Sequence, residues 1–248
     1  MKAVPPGSGG RIDATTGSIL HSLLRLAWPI LTSNVAMVVY GVGQTFWLGR
    51  AGADAVAAVA VAMPLMAFFW AVGDGVVMGG AALAARHVGS GDDDEVTRVA
   101  GHVVLLTCLY YFLLALVAVP IMQHIVVLIG TPADIVADVA LFVRIMLLGM
   151  PLTEVFFAYS SLLQGVGNSV TPMKMFTTAM VMNMIIDPFL ILGLSPLPLF
   201  GVSGAAAGII AVRAVWALLC LHLLIRGSHG LRLTVSDLRF DPVLLRRL

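Results

Sequence analysis

The sequence predicts an all-α membrane protein, a polytopic bundle of six transmembrane helices. Three observations predict it. Of the 248 residues, 60% are hydrophobic and only 11% charged, and the mean hydropathy is +1.01, outside the range of a soluble domain. The apolar residues gather into six stretches, each near or above the roughly twenty residues that a helix needs to cross a hydrocarbon core. Lys and Arg, finally, fall almost wholly on one set of connections between those stretches. The formal net charge of +1 gives no basic surface for nucleic acid, and none is expected as a partner.

Residues 1–22, opening MKAVPPGSGGRIDATTGS, are polar and rich in Gly and Pro. They lack the early apolar core of a signal peptide and are expected to be a flexible cytoplasmic lead-in. The transmembrane lobe is expected over 23–225. Its spans are read at 26–48, 55–85, 102–129, 135–163, 173–194 and 202–225. The second and fourth exceed the minimum length, so tilt or re-entry into the headgroups is expected. Pro29, Pro64, Pro151 and Pro188 sit inside spans, where neighbouring helices can satisfy the freed carbonyls. Residues 226–248 form a basic linker or tail that reads as a cytoplasmic loop leading to a further span. The acidic run at 92–95 reads as a solvated loop. Cys108 and Cys220 lie inside apolar runs and read as buried thiols, not a disulfide or a metal site. No cofactor is implied.

Orientation follows from the basic residues. With the N-terminus in the cytoplasm, Lys2, Arg11, Arg25, Arg86, Arg98, Lys174, Arg226, Arg232, Arg239, Arg246 and Arg247 are inside, and only Arg50 lies in an outer loop. Both termini are then cytoplasmic, in a multi-pass inner-membrane protein.

Five ionisable residues lie within the spans: Asp74, Arg144, Glu154, Asp187 and Arg213. Charge at membrane depth costs several kcal/mol and either lines a pathway or pairs with an opposite charge. Asp187 falls in the run MVMNMIIDPFLILG, one helical turn after Asn183 and directly before Pro188. The i, i+4 spacing puts the amide and the acid on one helix face. Such a pair, away from water, suits a proton or a small cation such as Na+. At a rise of about 1.5 Å per residue, Gln44 and Arg144 come out at the same depth, and Arg213 within reach of it. Two readings stay open: an ion-coupling site at Asp187 and Asn183, or an Asp187–Arg213 lock. Asp74 and Glu154 lie in the inner half as a separate pair of acids.

Several motifs are similar to those of the MATE (multidrug and toxic compound extrusion) transporters. The segment LLQGVGNSVTPMKMFTTAMVMNMIIDPFLILG, followed by FGVSGAAAG, resembles that family's cytoplasmic turn, its N-x-x-x-D-P span and the G-x-x-G-A-A opening of the next. WPILTSNVAMVVYGVGQTFWLGRAGADAVAAVA and GDGVVMGGAALAARHVGSGD resemble its first span and the end of its second. The resemblance covers the chain from about Leu23 to Asp241 and matches the N-terminal lobe of a twelve-helix fold. It implies antiport of H+ or Na+ against organic, often cationic, compounds. Asp187 and Asn183 would be the coupling residues, with Pro188 as a hinge. Gln44, Asp74, Arg144, Glu154 and Arg213 would be cleft or pairing candidates. The family often carries an Asp where this sequence has Gln44 in QTFWLG. Gln cannot titrate, so Asp187 would act alone or with Arg144, Arg213 or Asp74. The partners implied are the lipid bilayer, a small organic substrate, and either a C-terminal lobe or a second copy of the chain.

Two other functions each match a single feature of the sequence. Arg144 and Arg213 suit a lipid-linked oligosaccharide flippase of the same superfamily, which needs basic cleft residues. The string GVSG, with Ser203, matches the G-x-S-G of intramembrane serine proteases. That chemistry needs a histidine from another helix, and neither His102, His124 nor His222 is placed for it by the sequence. The expectation is a transporter, not an enzyme.

Overall fold

The computed structural model describes residues 19–90, 93–193 and 200–226. Six α-helices account for nearly all of them: α1 (Ile19–Ala51), α2 (Ala53–Ser90), α3 (Asp93–Leu128), α4 (Val136–Gly165), α5 (Val170–Leu192) and α6 (Gly201–Arg226). A single 3-10 turn, Ala133–Ile135, leads into α4. No strand occurs among the described residues, and the all-α expectation holds. Residues 1–18 and 227–248, expected as a flexible lead-in and a basic tail, lie outside the described residues.

The helices overrun the expected spans. α1 begins at Ile19, inside the segment expected to be flexible. α3 begins at Asp93, so most of the acidic run at 92–95 is the first turn of a helix and not a loop. Carboxylates at a helix start complement the positive end of its dipole, and Glu95 pairs with Arg98 at 3.1 Å. Five helices, α2 to α6, are long and apolar enough to cross a membrane. α1, expected as another span, is 33 residues long and carries Thr32, Ser33, Asn34, Gln44 and Thr45. Three of these hydroxyls turn back onto their own helix: Thr32 to the Trp28 carbonyl, Ser33 to that of Pro29 and Thr45 to that of Gly41. That bonding offsets part of the cost of holding hydroxyls away from water.

α4 is the centre of the bundle and packs on α2, α3 and α6, while α5 packs between α1 and α6. Two apolar clusters fill the interior. One holds Leu48, Met66, Tyr111, Met122, Phe142, Met146 and Ile191. The other holds Val103, Phe156, Tyr159, Leu163, Cys220 and Leu224. Aliphatic and Met residues on opposed helix faces fill such a space without polar demands. Outward residues such as Trp28, Phe68, Phe112 and Leu148 are exposed, as lipid-facing or partner-facing surface must be where bulk solvent is hydrocarbon.

Local chemistry positions α5. The turn after α4 places Gly167 at φ 85°, and Asn168 then accepts the Thr171 amide at 3.1 Å and donates to its hydroxyl at 3.0 Å. α5 ends at Gly193, which adopts the left-handed conformation of a C-cap. At Gly204 the backbone of α6 meets α5 so closely that a Cβ would strike the Leu190 carbonyl oxygen. Small residues allow this approach, and it brings α6 against the polar face of α5.

Candidate functional site

Asn183 and Asp187 lie one turn apart on the inward face of α5 and are 1% and 0% exposed. The Asn183 amide nitrogen donates to the Ala179 carbonyl at 3.1 Å. Its oxygen, and both carboxylate oxygens of Asp187, have no hydrogen-bond partner. Buried polar atoms are nearly always bonded, so each exception asks for an explanation. Here one amide oxygen and two carboxylate oxygens on one helix face close no hydrogen bond. That acceptor set suits a proton or a small hard cation. Among the described residues no three His, Cys, Asp or Glu side chains come together as a metal-binding group.

α1 supplies the facing wall. Tyr40 is buried and its hydroxyl accepts the Gln44 side-chain amide at 2.6 Å. The same hydroxyl interacts with Asp187 and is the donor that α1 offers to the acid. Gln44 therefore reaches the acid through Tyr40. α6 supplies the floor: Gly208 stands against Asp187, where a Cβ would lie 3.0 Å from Oδ1. On the outer surface of α1 and α5 a groove of about 520 Å³ is lined by Val38, Val39, Val42, Gly43, Phe46, Trp47 and Met184.

The other candidate residues fall elsewhere. Arg144 donates through Nε to the Val119 carbonyl of α3 at 3.1 Å, next to Pro120. Arg213 lays its guanidinium over the Phe157 ring, 5.0 Å from the centroid. It makes no ion pair with Asp187; the ion pair found among the described residues is Glu95–Arg98. Arg213 also interacts electrostatically with Glu154 and with Tyr40. Glu154 is 4% exposed and interacts with Arg213 and with Asp74, while Asp74 is exposed on α2. Pro188 lies within α5, which continues helically to Leu192. Cys108 donates to the Pro151 carbonyl at 3.0 Å, and both cysteines are free thiols. The Ser203 hydroxyl donates to Phe200 at 2.7 Å, closing the first turn of α6 rather than meeting a histidine.

Tyr40, Gly208 and Phe157 were not legible as site residues. The one available signal was the i, i+4 spacing of Tyr40 and Gln44.

The family model described as MatE matches residues 29–189. The probable multidrug resistance protein YoeA of Bacillus subtilis is 30% identical over 233 residues, covering 93% of this chain and 49% of its own length. The FAD transporter of Shewanella oneidensis is 24% identical over 197 residues, 79% of this chain and 43% of its own. A solved transporter of the MOP superfamily from Pyrococcus furiosus shares the fold, with a TM-score of 0.84 at 21% identity over 91% of this chain and 49% of that one. The chain thus spans about half the length of the relatives it matches. These relatives are transporters and not enzymes.

Proposed function

The chain belongs to the MatE family of multi-pass membrane transporters, and on that premise we propose that it is the N-terminal lobe of an ion-coupled exporter of organic, mainly cationic, compounds. The observation that carries the proposal is the set of buried oxygens on Asp187 and Asn183 that close no hydrogen bond. An ionised carboxylate that closes no hydrogen bond away from water costs several kcal/mol. Binding H+ or Na+ from the outer side removes that cost. The structure then differs in charge between loaded and empty states at the place where α1, α5 and α6 meet.

The coupling runs through those contacts. Loading Asp187 changes its interaction with Tyr40 and with the face of α6 at Gly208. α5 responds by bending near Pro188, where the missing amide hydrogen has already removed a ladder bond. The substrate rests on the apolar groove along α1 and α5, whose wall includes Met184, three residues before Asp187 on the same helix. Ion binding neutralises the acid and favours release of the cation. The opposite lobe, supplied by further chain or by a second copy, closes the cleft for alternating access. The lobe sits in the inner membrane with both termini cytoplasmic, bathed by lipid, and needs no cofactor beyond the coupling ion. The flippase alternative is disfavoured because Arg144 is engaged with α3 and Arg213 lies on Phe157.

Efflux of a cationic dye from cells tests this. Asp187→Asn, expressed at the wild-type level, should lose efflux. Full efflux in that variant removes Asp187 from the mechanism.

A further inference from the structure

We propose that Glu154 is a second proton-binding position of this lobe, reached through Asp74 and linked to Asp187 by Arg213. The proposal goes beyond the coupling role of Asp187 and rests on the ion-coupled reading only for its physiological purpose.

The geometry is that of a polar seam. Each of three helices passes from one apolar cluster to the other, and each places its ionisable residue at the crossing. On α2, Asp74 falls between Phe69 and Val77; on α4, Glu154 between Met150 and Val155; on α6, Arg213 between Ile209 and Ala217. α3 adds Tyr111, whose hydroxyl is buried without a partner and packs where a Cβ on Gly73 would stand. Glu154 makes no ion pair among the described residues, yet it is almost fully buried. A structural glutamate would be expected to close a bond with Arg213. Instead that guanidinium rests on Phe157. A buried carboxyl without an ion pair at membrane depth points to exchange, not to packing.

A proton fits the seam better than a metal cation. Na+ or Ca2+ asks for a shell of oxygens, and the guanidinium opposes a second positive charge. A proton needs a single carboxylate oxygen. The groups facing Glu154 are Asp74 from α2, Cys108 and Tyr111 from α3, and Arg213 from α6. Of the acids, Asp74 is exposed and Glu154 is not. In the assembled transporter the exposed Asp74 faces the cleft, and a proton from the water there adds first to its carboxylate. It then passes to a Glu154 oxygen: an O–H bond forms there as the one on Asp74 breaks, and Asp74 is ionised again. Arg213 interacts with Glu154 and with Tyr40, and Tyr40 in turn interacts with Asp187, so its charge stands between the two acid sites. A change of charge at either site alters the field that Arg213 presents to the other.

Infrared difference spectroscopy on the full chain in lipid tests this without any transport assay. The C=O stretch of a protonated carboxyl is followed as pH is stepped through neutrality. Wild type should show two buried carboxylic bands that titrate. Glu154→Gln should lose one and Asp187→Asn the other. A Glu154→Gln spectrum unchanged from wild type would overturn the proposal. Should the Gln variant misfold, Glu154→Asp must shift one band in frequency, and an unshifted band is again contrary. Arg213→Gln should move the midpoints of both bands; movement of neither, or of one alone, overturns the link. Because the bands report protonation directly, failure at Glu154 leaves the dye-efflux test of Asp187 intact, and the converse holds.

Discussion

Gly208 of α6 stands so close to Asp187 of α5 that a Cβ at 208 would lie 3.0 Å from the carboxylate Oδ1 and 3.3 Å from Leu190 Cδ1. The acid is thus pressed against the backbone of the next helix, and any group it binds is felt there. Both neighbours are side-chain atoms that can give way by a few tenths of an ångström. Gly208→Ala should therefore fold, with a stability loss of about 1 kcal/mol or less, but with measurably weaker ion coupling. Gly204→Ala should be worse for folding, because its Cβ meets the Leu190 carbonyl, which is backbone. Thermal unfolding in detergent, measured beside ion-driven uptake, separates the two.

Tyr40→Phe removes the hydroxyl that accepts from Gln44 and interacts with Asp187. The Gln44 amide loses its bond, at a cost of about 0.5–1.5 kcal/mol. Expression should survive, and the pH or Na+ dependence of transport should move. An unchanged dependence would show that α1 does not report on the acid.

Arg144→Met should lower stability by about 1–3 kcal/mol, since a charged donor leaves the Val119 carbonyl. Transport per folded molecule should be retained. A loss of transport at full stability would return Arg144 to the cleft.

Ser203→Ala removes one bond that closes the start of α6. Dye efflux should stay within about twofold of wild type, since a lost surface bond is worth a few tenths of a kcal/mol to about one.

Much of this fold was readable in advance because lipid imposes one rule, that apolar runs of sufficient length become helices. The ends were less readable. Residues 19–25, interrupted by His21, Ser22 and Arg25, continue α1 as helix, and α3 begins at residue 93, before the apolar run itself. Asn183 and Asp187 were legible because spacing within one helix fixes a shared face. Tyr40 was not, since a phenol in the run MVVYGVGQ looks like any aromatic in an apolar span. The choice between an Asp187–Arg213 lock and a free acid could not be read at all. It depends on where Arg213 finds its partner, and that partner, Phe157, is apolar and on a third helix.

The most direct test is ion movement in proteoliposomes holding the assembled transporter. With no imposed gradient, an organic cation is added on one side and H+ or Na+ flux is followed on the other. Wild type should move one of these ions opposite to the substrate, and Asp187→Asn should bind substrate yet move neither ion. Substrate-driven ion flux that persists in Asp187→Asn would contradict the account.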